Sequence, residues 1–202
     1  MYVPTANRVD DEALIREFVA ERGSGTLVTV GPDGTADATL LPVLWEADLL
    51  VAHFARANDH WRRMRDGAAG LLVVNGPEAY VSPSWYPTKA EHGGRVVPTW
   101  NYSAVHLRGP VTVHDDPEWL RAAVTGLTDR HEAGREHPWA VTDAPERYVD
   151  GMLRAVVGVS LRVESVEAKA KWSQNRSEAD RAGVLAALTD PDARARMVSG
   201  SL

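Results

Sequence analysis

The chain has 202 residues, 44% of them hydrophobic, which is enough for one large domain with an ordinary core. It has no cysteine, which excludes disulfides, thiolate metal sites and cysteine nucleophiles and fits a reducing cytoplasm. The formal charge is −6, so we expect no direct binding to DNA. Because no apolar run approaches about 18 residues and the N-terminus has no apolar signal core, we expect a soluble cytoplasmic protein without a membrane partner.

The first half of the chain is predicted to form a helix followed by a β-rich region. Asp10 can cap a helix over residues 10–22, which Gly23 ends. Apolar alternation and turn residues then predict strands over 25–30, 38–45, 48–54, 69–75 and 96–115, a turn at 31–34, a short helix over 60–67 and a polar segment at 78–86. Roughly six strands joined by short turns favour an antiparallel barrel over a parallel sheet.

The last third of the chain has mainly helical patterns. Asp116 can cap one helix, and a second is predicted over 143–155. A late strand over 156–166 follows, and Ser177 opens the final helix with a capping-box-like pair to Asp180. We therefore predict a mainly β fold with helices, an α+β protein. The predicted single domain covers 1–202, with a barrel core over about 24–114 plus 156–166 and helical parts over 10–22, 116–155 and 177–198.

Three common site signatures are incomplete. The stretch GSGTLV begins like a dinucleotide-binding fingerprint, but Val28 stands where the third glycine belongs and the stretch precedes a strand. The seven histidines lack the spacing of a zinc pair, so we predict no protein-held metal. Ser82 and Ser84 lie outside a G-x-S-x-G elbow, which leaves hydrolase chemistry without support.

Four clusters of polar and aromatic residues are candidate binding residues. In HFARANDHW (53–61), Arg56 and the backbone N–H groups near Asn58 and Asp59 could hold a phosphate, although a capped polar turn explains the pattern equally well. The other clusters are AYVSPSWY (79–86), with Ser82, Ser84, Trp85 and Tyr86; the strand face of Trp100, Tyr102, His106 and Arg108; and KAKWSQNRSE (169–178), with Lys171, Ser173, Gln174, Asn175 and Arg176. Each alone is more often a solvated turn or a sheet–helix interface. Together they suit a flat, partly anionic cofactor.

The same stretches resemble a known family. MYVP, HFARANDHW, GPEAYVSPSWYPTK, VPTWNYSAVHLRG and KWSQNRSEADRAGV occur in the order seen in the PaiB family, whose members are described as FMN-binding negative transcriptional regulators. The resemblance implies an FMN-binding split β-barrel with a C-terminal helical extension, a homodimer with flavin at its interface, and a regulatory or oxidoreductase role. Four positions differ from the residues that the family commonly shows: Leu40, Ala52, Asp59 and Trp172.

A branch similar to PaiB, the piperazate synthases, binds haem b and closes an N–N bond from a hydroxylated ornithine. In that branch the histidine that matches His53 resembles the axial ligand, and a neutral imidazole suits iron. The sequence thus leaves three alternatives: an FMN protein, which as an enzyme would be an FMN-dependent oxidoreductase; a haem-dependent N–N cyclase; and a transcriptional repressor acting with a partner. No recognition helix for DNA is evident.

The predicted cofactor-binding residues are the same for FMN and for haem b, and no catalytic residue is predicted. They are His53, Arg56, Asn58, Trp61, Ser82, Ser84, Trp85, Trp100, Tyr102, His106, Lys171 and Gln174.

Overall fold

The computed structural model describes residues 1–91 and 93–202 and consists of antiparallel strands with six α-helices over these residues. The strands are β1 Arg8–Val9, β2 Ser24–Val30, β3 Ala36–Pro42, β4 Leu44–Glu46, β5 Leu49–Ala55, β6 Ala69–Val81, β7 Thr99–His114, β8 Val156–Arg162 and β9 Ser165–Lys171. The helices are α1 Glu12–Arg22, α2 His60–Arg63, α3 Pro117–Glu132, α4 Glu146–Leu153, α5 Glu178–Ala187 and α6 Pro191–Ser199. The predicted α+β class, mainly β with helices, is confirmed.

The chain separates into two compact units. The first unit consists of Met1–Phe18, Asn75–Val105 and Glu167–Leu202. The second unit consists of Val19–Val74 and His106–Val166. The prediction of a single domain over residues 1–202 stays a prediction.

The second unit is built on an antiparallel sheet. Its strand order is β3-β2-β6-β7-β8-β5-β4, and over the described residues the sheet is not closed. On β5, Leu50, Ala52 and Phe54 are buried on one face of the strand. His53 therefore points to the opposite face, because successive side chains of a strand alternate. Helices α3 and α4 contribute Leu120, Val149 and Leu153 to a buried apolar cluster of the same unit.

The first unit contains the end of the chain and the strand pair β1–β9, with Arg8 opposite Lys169 and Val9 opposite Ala168. Strand β9 also pairs with β7. Directly after β9, Trp172 is fully buried, and its indole N–H donates to Ser103 Oγ at 2.9 Å.

Several elements differ from the predicted boundaries for identifiable reasons. The strand predicted over 38–45 is divided into β3 and β4, because the Val43 N–H donates to Gly23 O instead of continuing the ladder. Strand β7 begins at Thr99 and not at residue 96, since proline at position 98 has no N–H to donate.

The C-terminal elements also differ. The late strand predicted over 156–166 is two strands, β8 and β9, and β9 extends to Lys171. The last helical part is likewise two helices, since Asp190 caps α6 by accepting from Ala193 N at 2.7 Å and proline follows it. The helical part predicted over 116–155 is interrupted between α3 and α4. In the part of the chain that the structure describes, no helix is long and apolar enough to cross a bilayer.

Candidate functional site

Arg56, the predicted phosphate holder, follows β5 in the second unit and is fully engaged. Its Nε donates to Arg154 O at 2.8 Å, and one Nη donates to Val156 O at 2.9 Å. Both Nη atoms also donate to the Asp115 carboxylate. The hydrogen bond to Asp115 raises the pKa of Arg56 and lowers the pKa of Asp115. A phosphate would have to displace Asp115, and the phosphate role of Arg56 stays a prediction.

The rest of the turn after β5 bonds within the same unit. Asn58 Oδ1 accepts from the His60 N–H at 2.9 Å, and the Trp61 indole N–H donates to Arg56 O at 3.0 Å. Asp59 is held by Arg62 in an ion pair. These are the local bonds of a polar turn, the alternative that the sequence left open, although Asn58 and not the N-cap residue Asp59 accepts the backbone N–H at the start of α2.

His60 lies in this turn and was not predicted as a site residue. Its ring is buried, and its nitrogens bond to the hydroxyls of Thr29 at 2.9 Å and Thr39 at 2.8 Å. Burial lowers the pKa of His60; Asp37 raises it to a smaller extent, and Arg63 lowers it. With both ring nitrogens bonded, His60 positions β2, β3 and α2 and has no free atom for a ligand.

His53, the predicted haem ligand, borders an apolar cavity of about 210 Å³ in the second unit. Its Nδ1 is buried and has no hydrogen-bond partner among residues 1–91 and 93–202. Burial lowers the pKa of His53, so the imidazole is neutral at pH 7. The other residues that line the cavity are Val124, Trp139, Val141, Ala144, Tyr148, Val149, Met152, Leu153 and Val156.

Several of the large apolar side chains that line this cavity are also exposed. Trp139, Tyr148 and Met152 line it and are 47%, 61% and 50% exposed. Large apolar side chains that are grouped and exposed mark binding surfaces more often than isolated ones do. A cavity with apolar walls suits a haem ring, and its one unpaired imidazole nitrogen could serve as the axial ligand of the iron. The cavity itself is smaller than usual for a whole cofactor, so a flat group would extend over these three side chains.

In the first unit, the predicted serines form a local cap. Ser82 Oγ accepts from the Ser84 N–H at 3.2 Å and lies 2.7 Å from Ser84 Oγ, at the start of the short 3-10 helix Pro83–Trp85. Trp85 is positioned by α5: a Cβ on Gly183 would lie 2.1 Å from Trp85 O, so only glycine fits there.

Tyr86, which follows, was part of the quoted motif but not of the predicted site. Its side chain is 3% exposed, and its hydroxyl has no hydrogen-bond partner in the described part of the chain. The Arg176 guanidinium lies 4.6 Å from the centre of its ring. A buried hydroxyl without a partner is rare enough to need an explanation.

The aromatic residues of β7 lie along the first unit. Trp100 is 47% exposed, its indole N–H donates to Glu78 Oε2 at 3.1 Å, and the Tyr80 ring packs edge-on at 6.2 Å. Tyr102, two residues on, lies with its ring centre 5.0 Å from Lys169 Nζ. His106 continues the strand within the second unit. The first unit therefore presents aromatic planes beside a cation.

The end of β9 carries a group of cations that we call the cation cluster: Lys169, Lys171 and Arg176. The Lys169 ammonium donates to Tyr2 O at 3.1 Å, and the Lys171 ammonium donates to Thr99 Oγ1. Burial, Lys169 and Arg176 lower the pKa of Lys171, in that order. None of the three cations has a carboxylate at ion-pairing distance among the described residues.

The side-chain amide of Gln174, a predicted cofactor-binding residue, bonds to the backbone of this region. Its Nε2 donates to Ala170 O at 2.7 Å and to Gly200 O at 3.3 Å, and its Oε1 accepts from the Trp172 N–H at 2.7 Å. Its cofactor role stays a prediction. Lys169 was not among the candidate residues, although its two-residue spacing from Lys171 puts both lysines on one face of the strand. Arg176 was a candidate of its cluster but not one of the predicted cofactor-binding residues.

The predicted residues therefore fall into two sets. His53, Arg56, Asn58, Trp61 and His106 belong to the second unit, and Ser82, Ser84, Trp85, Trp100, Tyr102, Lys171 and Gln174 belong to the first. Among residues 1–91 and 93–202, no group of three or more histidine, cysteine or acidic residues could hold a metal ion.

Comparison with known sequences identifies relatives over most of the chain. A family model described as "Putative FMN-binding domain" matches residues 1–165. The "Protease synthase and sporulation protein PAI 2" of Bacillus subtilis (strain 168) is 32% identical over 196 residues, which are 95% of this chain and 91% of that protein.

Solved structures show the same fold at low sequence identity. The FAD and haem binding protein from Mycobacterium smegmatis has a TM-score of 0.63 and 19% identity, over 92% of this chain and 90% of that one. The flavocytochrome Anf3 from Azotobacter vinelandii has a TM-score of 0.58 and 15% identity, over 85% and 73%. The conserved hypothetical protein Rv2991 from Mycobacterium tuberculosis has a TM-score of 0.60 and 17% identity, over 84% and 90%. These similarities confirm the predicted fold class. The predicted cofactor FMN agrees with the description of the family model.

Proposed function

This chain, which is similar to PAI 2 of Bacillus subtilis, belongs to the FMN-binding family whose model matches its residues 1–165, and on that premise we propose that it binds FMN as a cytoplasmic homodimer with a regulatory or oxidoreductase role. The observation that carries the proposal is the pairing of aromatic planes with cations in the first unit. Trp100 and Tyr102 offer flat surfaces, and the cation cluster offers positive charge that no carboxylate of the described residues neutralises. FMN has a flat ring system and an anionic phosphate.

The residues of this chain would bind and orient the flavin, while the flavin itself would supply electron transfer. Trp100 is the residue most available for stacking because nearly half of its surface is exposed. Lys171 would hold negative charge through its free N–H groups. The proposal rests on the family membership and on the chemistry of these side chains.

The test of flavin binding is a titration of the purified protein with FMN, followed by flavin fluorescence. Replacing Trp100 with alanine should weaken FMN binding by about threefold to tenfold, the size of one aromatic stacking contact. Val198→Ala is the control, because Val198 is an exposed apolar residue of α6 that lies outside the candidate sites. If wild-type protein does not bind FMN, the proposal fails.

Haem is a second candidate because of one specific observation, the buried and unpartnered Nδ1 of His53 in an apolar cavity. His53 would be the iron ligand, and the haem would supply redox chemistry or the N–N bond-forming chemistry expected from the resemblance. The apolar side chains around the cavity would exclude water from the ring.

Haem titration separates this candidate from FMN. Wild-type protein and the exposed-residue control His137→Ala should both develop a strong absorption band at about 400 nm, whereas His53→Ala should lose it. An unchanged band in His53→Ala would remove His53 from the haem site.

The proposed homodimer has its own test. Grouped exposed apolar residues, such as Trp139, Tyr148 and Met152, are costly on a monomer surface and are commonly covered by a partner. Sedimentation at micromolar concentration should give the mass of two chains. A monomer at that concentration would contradict the proposal.

A further inference from the structure

We propose that Lys171 and Arg176, with Lys169 beside them, bind the phosphate end of a flat ligand. The inference rests on the proposed FMN function and deepens it, since it assigns the phosphate to the cation cluster and not to the Arg56 turn. Four properties of the cluster carry it: its lack of counter-charge, its burial, its free donors and its aromatic neighbours.

The first property is charge imbalance. Seven arginines elsewhere in the described residues pair with carboxylates: Arg16, Arg56, Arg62, Arg63, Arg121, Arg135 and Arg162. The three cations of the cluster have no such partner within residues 1–91 and 93–202, and they are close enough for Lys169 and Arg176 to disfavour the charged form of Lys171. A phosphate monoester carries between one and two negative charges at neutral pH and matches three cations better than a single carboxylate does.

The second property is burial. A fully exposed cation needs no partner, because water and salt screen it. Lys169, however, is only 7% exposed, and Lys171 is partly buried. The carbonyl of Tyr2 and the rings of Tyr2 and Tyr102 offset part of the cost of burying the Lys169 ammonium. They supply no negative charge, which a buried ammonium ordinarily has nearby.

The third property is the number of free donors. An ammonium group has three N–H bonds, and Lys171 uses one for Thr99 Oγ1. The guanidinium of Arg176 makes no hydrogen bond in the described part of the chain, although it is a fork suited to two phosphate oxygens.

The backbone fixes where these donors lie. Ser173 has a φ of 59°, which is unfavourable for a residue other than glycine, and it is held by the bonds of its side chain to Asn101 and of its carbonyl to the Arg176 N–H. This turn connects β9 to α5 and places Arg176 after Lys171.

The fourth property is the aromatic surroundings. Arg176 lies over Tyr86, and Lys169 lies 5.0 Å from the centre of the Tyr102 ring. The buried Tyr86 hydroxyl, which lacks a partner among the described residues, is a further donor in this corner. Planes and cations together recognise a ligand that is flat at one end and anionic at the other.

The experiment compares FMN with riboflavin, which has the same ring and no phosphate. In wild-type protein FMN should bind more tightly than riboflavin, and Lys171→Met should weaken FMN by about tenfold to a hundredfold while leaving riboflavin unchanged. Lys89→Met is the matched control, since Lys89 is the one lysine of the sequence outside the cation cluster and is exposed. Equal FMN affinity in Lys171→Met and wild type would overturn the inference and leave FMN binding itself standing.

A second measurement does not depend on flavin. Inorganic phosphate should raise the melting temperature of the wild type more than that of Lys171→Met or Arg176→Gln, because a ligand of the folded state stabilises it. If neither flavin binds, the proposed function fails, and this phosphate difference alone decides whether the cluster is an anion site. An equal rise in wild type and both variants would overturn it.

Discussion

The turn after β5 and the cation cluster at the end of β9 both contain basic side chains, but these side chains differ in what neutralises their charge. Every nitrogen of the Arg56 guanidinium donates to a carboxylate or a carbonyl oxygen. The Lys171 ammonium has a single hydroxyl acceptor, and the Arg176 guanidinium has none among the described residues. The first arrangement stabilises a fold, and the second leaves donors for a ligand.

The pKa shifts of the two regions have opposite signs for the same reason. Asp115 raises the pKa of Arg56, which means that the folded state favours its charge. Burial and neighbouring cations lower the pKa of Lys171, which means that the folded state without an anion disfavours its charge. The folded state thus favours the charge of Arg56, which the fold uses, and disfavours the charge of Lys171, which is left for a ligand.

The largest expected effect on stability is that of replacing Trp172, the buried residue that directly follows Lys171 of the cation cluster. Trp172 is fully buried and bonded to Ser103, so Trp172→Ala should lower the free energy of unfolding by about 3–5 kcal/mol, through a cavity and a lost hydrogen bond. Urea unfolding measures it. The exposed Trp100→Ala is the control and should change stability little. A loss below about 1 kcal/mol in Trp172→Ala would mean that the cluster has no rigid support.

A smaller loss is expected in the Arg56 turn. Arg56→Ala leaves the carbonyl oxygens of Arg154 and Val156 without their donor and should lower the melting temperature by roughly 2–4 °C. Arg65→Ala is the control, because Arg65 is exposed and has no ion pair among the described residues.

The same variant tests the phosphate role that the sequence suggested for Arg56. If Arg56 holds the phosphate, FMN binding should fall by about tenfold to a hundredfold in Arg56→Ala. If the cation cluster holds it, stability should fall while FMN affinity stays within about twofold of wild type.

Local patterns in the sequence were sufficient for much of the fold. The alternation around Leu50 and Phe54 predicts β5, and the caps at Asp116 and Ser177 predict the starts of α3 and α5, where both side chains accept the expected N–H groups. His53 was singled out by the resemblance to the haem-binding branch and not by a local pattern, and the structure puts it beside an apolar cavity.

Long-range pairing was not predictable from these patterns. Asp115 lies 59 positions from Arg56 in the sequence. No local pattern around either residue predicts their ion pair, which engages the side chain that was predicted to hold a phosphate. Thr29 and Thr39 likewise come from two different strands to His60. The charge of Lys171 is not neutralised because no carboxylate of the described residues lies near it. Which carboxylates lie near a residue depends on the packing of the whole fold, so local patterns do not predict it.

We expect a decrease in pH to destabilise the second unit before the rest of the chain. His53, His60 and His114 all lie there, and burial lowers the pKa of each from 6.5. The unfolded chain therefore binds more protons than the folded one just below pH 6.5, and stability should fall as pH decreases from there.

Melting temperatures between about pH 7.5 and 5 measure this slope. His53→Gln should make it shallower, and His137→Gln, at an exposed position, should not. A slope unchanged by His53→Gln would show that His53 is not held neutral by burial.

The smallest expected effect is a gain. Lys171 has a folded-state pKa below its ordinary 10.5, so its charged form is disfavoured by the fold throughout neutral pH, and the penalty is relieved as pH rises toward 10.5. Lys171→Met removes that charge and keeps an apolar stem of similar length. In phosphate-free buffer at pH 7, the variant should melt roughly 1–2 °C above wild type, the size expected of one partly exposed charge interaction. The gain should shrink at about pH 10, where wild-type Lys171 loses its proton more readily, and saturating FMN should reverse the order of the two proteins. Lys89→Met should match wild type under all three conditions. A variant that melts below wild type in phosphate-free buffer would show that Lys171 stabilises the fold through Thr99, which would make the cation cluster resemble the Arg56 turn after all.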